Sequence, residues 1–336
     1  MLSKPDISDE TIVSCVMDSF GLRIAKATFL PSGDVNSAVY RIATDDRARY
    51  LLKLRRADFD EVAVAVPAYL HSRGILGVMA PIATKTNQLS IHAHGFDWML
   101  YPYFEGKNGF EVPLSPAQWI AFGETMRKVH TTILPTDLAR RVPHESYSPH
   151  NRAIVKALDN EIERRLLLDD PPTTHLASFW KTNRAEIQTV IERADQLAQQ
   201  MQDRAMELVV CHSDLHARNV LLGAADTLAI VDWDNPILAP KERDLMFIGG
   251  GIGGIWNDPR EKEWFYTGYG PAEIDLVAIA YYRYERIVTD FAEYGAQIFG
   301  MKGTEDDRES GVEKFMSGFL PNNVIEMAHK SYLELP

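Results

Sequence analysis

Three polar residues in the middle of the chain have types and a spacing suited to phosphoryl transfer. His212, Asp214 and Asn219 form the pattern H-x-D-x-x-x-x-N. A second aspartate, Asp232, follows after two apolar runs separated by a turn. One carboxylate can orient or deprotonate an attacking hydroxyl, while an amide oxygen and another carboxylate hold Mg²⁺ against the phosphates. The pattern therefore predicts metal-assisted phosphoryl transfer.

The local sequence predicts a separate role for each of these residues. VVCHSDLHARNVLL predicts a strand, a loop and a strand, and LAIVDWD predicts another strand that ends in acids. Asp214 then lies in the loop as the catalytic carboxylate, and His212 supports that loop through hydrogen bonds. Asn219 and Asp232 fall on facing strand ends, where both can bind one metal ion. For Asp234, a second metal contact, a loop hydrogen bond and a place in the substrate pocket all stay open.

The N-terminal third contains candidate phosphate-binding groups. Residues 26–54 predict three strands, and the turn between the first two contains Ser32 and Gly33. Such a turn can offer backbone N–H groups to nucleotide phosphates. Lys53, in the third strand, is the candidate for pairing with the α- and β-phosphates.

The segment after the third strand holds the candidate partner of this lysine. In kinase-like enzymes the strand lysine is held by a glutamate from the next helix, and Glu61 is the nearest candidate. Residues 62–66 alternate like a strand, however, and Pro67 would kink a helix. The segment is therefore an imperfect candidate for the helix that would carry Glu61.

The run MLYPYFEGKNG passes from an apolar strand into Pro, Gly and polar residues, which is typical of a linker between lobes. In a bilobal kinase, adenine would bind backbone groups of Leu100, Tyr101 and Tyr103. We therefore expect a nucleotide-binding lobe over residues 1–104, a hinge at about 100–108, and a catalytic and substrate-binding lobe over 109–336.

The C-terminal two-thirds of the chain predict mainly helices. Ser115, Pro116 and Gln118 form a helix start with a capping box, and helices over 150–205 are interrupted by two prolines. The glycines of GGGIGG match G-x-G-x-x-G, but they do not follow a strand in a βαβ unit. We interpret them as a close-packed bend and expect a polar tail after the last helix.

Composition excludes several classes of protein. The 336 residues are 46% hydrophobic and 24% charged, as in globular proteins, and contain no apolar run long enough to span a membrane. The net charge of −12 disfavours nucleic acid and anionic membrane partners and favours a cationic substrate. Two cysteines form no disulfide framework, which predicts a cytoplasmic location. We also expect a monomer.

HSDLHARN followed by VDWD resembles the aminoglycoside phosphotransferase family, part of the kinase-like superfamily. WDNPILAPKERDLMFIGGG, YYRYERIV and the region from KNGF to QWIAFG resemble the spectinomycin-modifying enzymes of that family. The resemblance implies an α+β, bilobal, protein-kinase-like fold, with a small β-rich N-lobe and a larger, mainly helical C-lobe. It also implies ATP- and Mg²⁺-dependent O-phosphorylation of an aminocyclitol or aminoglycoside antibiotic, spectinomycin first, with resistance as the outcome.

The resemblance also suggests where a cationic antibiotic would bind. Spectinomycin carries two amines, so acidic and aromatic side chains are expected around it. The candidates are Glu285 and Asp290 on the late helix and Trp256 from the glycine-rich loop. Salt bridges with the neighbouring Arg283 and Arg286 are the alternative explanation of the two acids.

Two other functions stay open. One is a kinase of another small hydroxyl compound, such as a sugar, a choline-like alcohol or an amino alcohol. The other is an inactive nucleotide-binding protein. The latter is disfavoured because Lys53, Asp214, Asn219 and Asp232 are all present, whereas a decayed kinase usually lacks one of them.

Overall fold

The computed structural model describes residues 4–30, 37–56, 59–164 and 170–336. Strands are concentrated in the N-terminal part of the chain and helices in the C-terminal part. This distribution confirms the predicted α+β class. No helix in the described ranges is long and apolar enough to cross a membrane.

The N-terminal elements confirm the three strands predicted over residues 26–54. In order along the chain they are α1 (Asp9–Phe20), β1 (Ile24–Leu30), β2 (Ser37–Thr44), β3 (Arg49–Arg55), α2 (Val62–Ser72), β4 (Ile91–Ala93), β5 (Phe96–Pro102), β6 (Gly106–Asn108), α3 (Pro116–His130) and α4 (Thr136–Ala139). The strands β1, β2, β3, β5 and β4 are hydrogen-bonded in that order, and each neighbouring pair is antiparallel.

Alternation along β3 separates a core face from a polar face. Leu52 and Leu54 are fully buried in a cluster that also contains residues of α1, β2 and β5. Because successive side chains of a strand point to opposite faces, Lys53 lies on the other face of the sheet. The register of the strands pairs Lys53 with Val39 on β2 and with Met99 on β5, so the lysine lies in the middle of the sheet.

The segment after β3 forms a helix despite its strand-like alternation and its proline. Residues Val62–Ser72 form α2, with Pro67 inside it. Val62, Ala63 and Val64 are all buried, so the apparent alternation of large and small residues does not reflect one buried and one exposed face. Burial of nearly every side chain in the first half of α2 offsets the backbone hydrogen bond that a proline removes.

The predicted start of α3 is confirmed in its details. The Ser115 side chain accepts the backbone N–H of Gln118 at 3.1 Å, and the Gln118 side chain accepts the backbone N–H of Ser115 at 3.0 Å. Pro116 occupies the first turn. This capping box satisfies donors that the helix cannot pair internally.

The remaining elements follow in chain order. They are α5 (His150–Arg164), α6 (Pro171–Thr182), α7 (Arg184–Gln202), β7 (Val209–Cys211), β8 (Val220–Gly223), β9 (Leu228–Ile230), β10 (Ile237–Ala239), α8 (Glu242–Leu245), α9 (Pro259–Tyr269), α10 (Leu276–Phe299), α11 (Glu305–Ser317) and α12 (Val324–Leu333). The predicted polar tail is therefore wrong, because α11 and α12 occupy it. Their buried residues, including Val312, Phe315 and Ala328, pack into the protein.

By packing, the chain divides into two compact units. The first unit contains residues 1–143 and 218–236, and the second contains 144–217 and 237–336. The predicted lobes, residues 1–104 and 109–336, are defined by where nucleotide and substrate would bind. This division stays a prediction. In the first unit β6, β8 and β9 form a second small sheet, whereas in the second unit β7 pairs with β10.

Helix α10 is the centre of the second unit, where it contacts α5, α7, α8, α11 and α12. Its side chains Tyr284, Ile287, Val288 and Phe291 are buried at spacings of three and four, which is the spacing of one packed helix face. The element that carries Glu285, Arg286 and Asp290 is therefore held by neighbours on several sides.

The glycine-rich bend has the packing role predicted for it. A Cβ atom on Gly250 would lie 2.2 Å from the guanidinium of Arg283. Arg283 donates from Nε to the Met246 carbonyl at 3.0 Å, and burial lowers its pKa to about 10. The bend therefore needs glycine at this position because its backbone lies directly against the hydrogen-bonded, partly buried guanidinium of Arg283.

Candidate active site

The predicted site residues fall into two groups. Asp214 and His212, together with the candidates Trp256, Glu285 and Asp290, belong to the second unit. Lys53, Glu61, Asn219, Asp232 and Asp234, together with the strand residues proposed for adenine, belong to the first. Ser32 and Gly33 lie outside the described residues.

The backbone around Asp214 is anchored by a buried carboxylate. The backbone N–H groups of His212 and Ser213 donate to the two carboxylate oxygens of Asp244, at 2.9 and 2.8 Å. Asp244, on α8, is fully buried. Ser213 has a φ of 71°, a backbone conformation that a side-chain-bearing residue rarely adopts. The Asp244 carboxylate thus holds the loop in a strained turn just before Asp214.

His212 also contributes to the conformation of this loop. It is completely buried, and its Nδ1 accepts the backbone N–H of Asp214 at 3.3 Å. His216 donates its backbone N–H to the Asp214 carbonyl at 3.0 Å. The side chain of His212 therefore contacts the backbone of Asp214, the kind of supporting contact proposed for it from the sequence.

The Asp214 side chain is bound by two basic groups. Arg286 Nη1 on α10 donates to Asp214 Oδ1, and His216 Nε2 lies 3.5 Å from Oδ2. Burial by itself would raise the pKa of Asp214, but Arg286 and His216 outweigh it and hold that pKa well below its usual range. Asp214 is therefore ionised at neutral pH, and it is better suited to orienting a hydroxyl than to keeping its proton.

Asn219 and Asp232 lie at the same end of the hairpin formed by β8 and β9. Val220 pairs with Ile230, and the Val231 N–H donates to the Asn219 carbonyl at 2.9 Å. Asp232 follows directly, with a φ of 66°. Trp233 is buried behind it and donates Nε1–H to the Ile230 carbonyl at 3.2 Å. The register of the hairpin thus places both candidate ligands on facing strand ends, as the sequence predicts.

Lys53 forms ion pairs with the two aspartates that follow β9. Its Nζ lies 2.6 Å from Asp232 Oδ1 and 2.8 Å from Asp234 Oδ2, and Arg55 Nη1 lies 2.6 Å from Asp234 Oδ2. Burial would lower the pKa of Lys53, but the two carboxylates outweigh it and raise that pKa. Lys53 therefore keeps its positive charge at neutral pH. Asp234 forms ion pairs with both Lys53 and Arg55.

The donor atoms at this hairpin end fit a hard divalent cation. Asn219 offers an amide oxygen and Asp232 a carboxylate, and oxygen donors of this kind are what Mg²⁺ prefers. The Asp232 side chain keeps 47% of its surface exposed, so its carboxylate can be reached from solvent. These two residues could hold Mg²⁺, and Lys53 beside them could contact phosphate oxygens.

The expected pair between Lys53 and Glu61 is not the arrangement found. Glu61 precedes α2, is 71% exposed, and forms an ion pair with Arg141 at 2.7 Å. Lys53 instead has Asp232 and Asp234 as partners. Two carboxylates on the polar side of the sheet neutralise the lysine, and Glu61 is held by an arginine of its own.

The strand proposed for adenine is already engaged in the fold at two of its backbone groups. The Leu100 carbonyl accepts the Ile82 N–H at 2.7 Å, and the Tyr103 N–H donates to the Arg49 carbonyl at 3.3 Å. Tyr101 pairs with Leu51 on β3, and burial raises the pKa of its hydroxyl. Adenine binding at Leu100, Tyr101 and Tyr103 stays a prediction.

The four substrate candidates have different surroundings. Glu285 is paired with Arg152, which is buried and also donates to the Tyr147 carbonyl at 3.0 Å. Glu285 therefore neutralises a buried arginine in the second unit. Asp290 Oδ1 accepts Arg286 Nε at 3.1 Å and is thereby linked to Asp214. Trp256 is buried in the glycine-rich bend, where its carbonyl accepts the Gly249 N–H at 3.0 Å. Asp234 is held by the two cations described above.

Sequence reasoning assigned no role to three residues that shape these groups. The sequence predicts Arg286 only as a salt-bridge partner of the neighbouring acids, although its spacing of four from Asp290 on a helix is visible. Arg55 lies two residues after Lys53 and thus on the same face of β3. Asp244 carried no signal beyond its place in the run APKERDLM.

Comparison with known proteins identifies the family. Residues 26–309 match the sequence profile of the phosphotransferase enzyme family. The chain belongs to this family. The matched region contains Lys53, Asp214, Asn219 and Asp232, and the match confirms the resemblance inferred from HSDLHARN and VDWD. A comparison with curated protein sequences gave no match.

Solved structures of two kinds resemble this phosphotransferase. A spectinomycin phosphotransferase in complex with ADP and spectinomycin is 35% identical, with a TM-score of 0.92, over 98% of this chain and 99% of that chain. An AMP-bound complex of spectinomycin phosphotransferase is also 35% identical, with a TM-score of 0.87, over 96% of this chain and 98% of the other. An ethanolamine kinase from Plasmodium vivax is 15% identical, with a TM-score of 0.60 over 98% and 93% of the two chains, and it shows the fold alone.

These findings confirm a kinase-like fold and a nucleotide-binding phosphotransferase with a hydroxyl acceptor, of the aminoglycoside kinase type. They favour an active phosphotransferase over an inactive nucleotide-binding protein. The identity of the acceptor is a finer question.

Proposed function

We propose that this phosphotransferase transfers the γ-phosphoryl group of ATP to a hydroxyl of an aminocyclitol antibiotic, with spectinomycin as the first candidate. The observation that carries the proposal is the 35% identity, over 98% of this chain, to a spectinomycin phosphotransferase crystallised with ADP and spectinomycin. The net charge of −12 also favours a substrate that carries amines.

Asp214 is proposed to orient the acceptor hydroxyl. An ionised carboxylate accepts a hydrogen bond from the hydroxyl and directs its oxygen at the γ-phosphorus. The bond between the acceptor oxygen and the γ-phosphorus then forms, the bond to the β,γ-bridging oxygen breaks, and ADP leaves. The hydroxyl proton ends in water, because a carboxylate with a pKa as low as that of Asp214 does not retain it.

The hairpin end of the first unit is proposed to bind the phosphates. Asn219 and Asp232 would hold Mg²⁺, which neutralises charge on the phosphate oxygens when bound. Lys53, a fixed cation beside Asp232, would contact the same phosphates. Asp234 keeps Lys53 and Arg55 in place through its ion pairs.

Transfer to spectinomycin would inactivate the antibiotic, so resistance is the proposed biological outcome. A cytoplasmic location and a monomeric state, both expected from the sequence, belong to the same proposal. Asp290 is the acidic candidate for the substrate pocket that is linked to Asp214, through Arg286.

ADP formation across a panel of acceptors tests the proposal. The panel contains spectinomycin, a kanamycin-type aminoglycoside, hygromycin, choline and ethanolamine, each with ATP and Mg²⁺. We expect spectinomycin to give the largest kcat/KM, and mass spectrometry to show one added phosphoryl group. A reaction without acceptor reports acceptor-independent ATP hydrolysis, and the Asp214→Asn variant reports turnover that does not depend on the carboxylate. Turnover of another panel member without turnover of spectinomycin would move the assignment to a kinase of that compound.

A further inference from the structure

A chain of ion pairs joins helix α10 to the proposed catalytic carboxylate. Arg286 uses Nη1 for Asp214 Oδ1 and Nε for Asp290 Oδ1. A guanidinium is planar, and its donors have fixed directions, so two carboxylates on different donors determine its orientation. The Arg286 side chain is only 24% exposed. The arginine is therefore a rigid link between the helix and the loop.

The two ends of this link differ in their support. Asp290 lies on the same helix as Arg286, four residues later, so this contact is local. Asp214 lies 72 positions earlier in the chain, on a loop whose backbone is anchored by Asp244. Packing of α10 against α5, α7, α11 and α12 holds the helix. The side chain of Asp214 is therefore tied to a helix that is itself held by packing.

The charges around Asp214 make this contact important for its ionisation. Burial raises the pKa of Asp290 and of Glu293, both on α10, and the Asp214 carboxylate raises both further, whereas Arg286 stabilises the ionised form of each. Apart from His216, Arg286 is the basic group that stabilises the ionised form of Asp214. Without this arginine, the carboxylates of Asp214, Asp290 and Glu293 would lose a cation that stabilises the ionised form of each.

We infer that Arg286 is a positioning residue for the transfer reaction, which fixes the orientation of the Asp214 carboxylate from helix α10. The inference rests on the proposed function of Asp214. A positioning role predicts that loss of Arg286 lowers kcat, because the hydroxyl is presented to the phosphate in a wrong orientation. Nucleotide binding should be unaffected, because Lys53 and Asp232 do not depend on this contact.

The test compares Arg286→Ala and Arg286→Lys with the matched control Arg184→Ala. Arg184 also makes an arginine–aspartate pair in the second unit, with Nε and Nη2 at 2.9 and 3.0 Å from the oxygens of Asp159. All variants are assayed with the best acceptor of the panel, and their thermal unfolding is recorded. We expect kcat of Arg286→Ala to fall about 100-fold with the KM for ATP nearly unchanged.

The lysine variant and chemical rescue separate positioning from a structural role. Arg286→Lys keeps the charge but loses the planar fork, so we expect a kcat loss of about tenfold. Free guanidinium ion, at a concentration well below that which unfolds the protein, should raise kcat of Arg286→Ala and leave Arg184→Ala unchanged. A merely structural arginine would instead give a lower melting temperature, a raised KM for ATP and no rescue.

Three outcomes would overturn the inference. The first is a wild-type kcat in Arg286→Ala. The second is a higher kcat, which would make the ion pair an inhibitory contact. The third is a loss of kcat that guanidinium does not rescue and that accompanies lower stability. Asp214→Asn distinguishes this failure from that of the proposed function. If Asp214→Asn is inactive and Arg286→Ala is normal, only the inference fails. If Asp214→Asn turns over normally, the role proposed for Asp214 fails first.

Discussion

Asp214 and Asp232 are both aspartates at the end of a strand-forming segment, yet their surroundings differ in kind. Asp214 is held by an arginine on a packed helix, and its pKa is held well below the usual range. Asp232 is paired with a lysine side chain and is more exposed, at 47% against 37% for Asp214. The planar guanidinium of arginine fixes the orientation of the carboxylate that it binds. The ammonium group of lysine is a point charge on a flexible side chain, and it can bind phosphates instead of the carboxylate. The difference fits an orienting carboxylate in one case and a metal ligand in the other.

The two aspartates also differ in how their backbone is anchored. The loop before Asp214 depends on a fully buried carboxylate, Asp244. The hairpin of Asp232 is tied to the start of α3 at its opposite end, where Ser115 Oγ donates to Asp226 Oδ1 at 2.7 Å in an exposed contact. Because buried hydrogen-bonding groups are costly to leave unsatisfied, the loop should be more sensitive to mutation than the hairpin.

Replacing Asp214 with asparagine should have the largest effect. We expect kcat to fall about 1,000-fold, equivalent to about 4 kcal/mol in the activation barrier, because the neutral amide cannot act on the hydroxyl as a carboxylate does. The dissociation constant of ADP, measured by calorimetry, should change little. A variant with weak ADP binding and normal kcat would reverse the roles of Asp214 and Asp232.

Replacing Asp244 with alanine should destabilise the second unit. The backbone N–H groups of His212 and Ser213 lose their buried acceptor, so we expect unfolding to become easier by about 3 kcal/mol. Urea denaturation followed by circular dichroism measures the effect. Asp258→Ala is the control, since Asp258 is an exposed helix cap that accepts the Arg260 N–H at 2.8 Å. Equal losses in the two variants would contradict the importance of burial.

Replacing Asp232 with asparagine should act on metal-dependent binding. We expect the affinity for ADP in Mg²⁺ to fall about tenfold, equivalent to about 1.4 kcal/mol, because a charged oxygen ligand is lost. Titrations of wild type and variant, each with Mg²⁺ and with a chelator, give the measurement. Mg²⁺ should tighten ADP binding in the wild type only. The same Mg²⁺ effect in Asp232→Asn would exclude this residue as a ligand.

Replacing Ser115 with alanine should have the smallest effect. The variant loses the cap of α3 and the contact with Asp226, so we expect a loss of stability of about 1 kcal/mol with kcat unchanged. Thr304→Ala removes the corresponding cap of α11 in the second unit and is the matched control. Comparable melting-temperature shifts are expected in both. A marked fall in kcat for Ser115→Ala alone would show that the hairpin is as sensitive as the loop.

Much of the first unit could be predicted from local sequence. The three strands over residues 26–54 and the capping box at Ser115 were predicted because alternation, turn residues and cap residues act over a few positions. Local sequence does not decide helix α2, because its valine-rich alternation favours a strand, whereas burial of nearly every side chain in its first half favours a helix. Helices α11 and α12 were missed because a polar composition hides their few buried residues.

The chemistry and the family follow from the sequence alone, because the reactive residues of H-x-D-x-x-x-x-N and the later aspartate lie within one short segment of the chain. The sequence also placed Asn219 and Asp232 on facing strand ends, because hairpin register follows from the turn. Only the tertiary structure decided that Lys53 pairs with Asp232 and Asp234 and not with Glu61, that Asp244 anchors the loop, and that Arg286 holds Asp214. Such partners are distant in the chain, and with 47 acidic residues to choose from, only packing selects which carboxylate each cation meets.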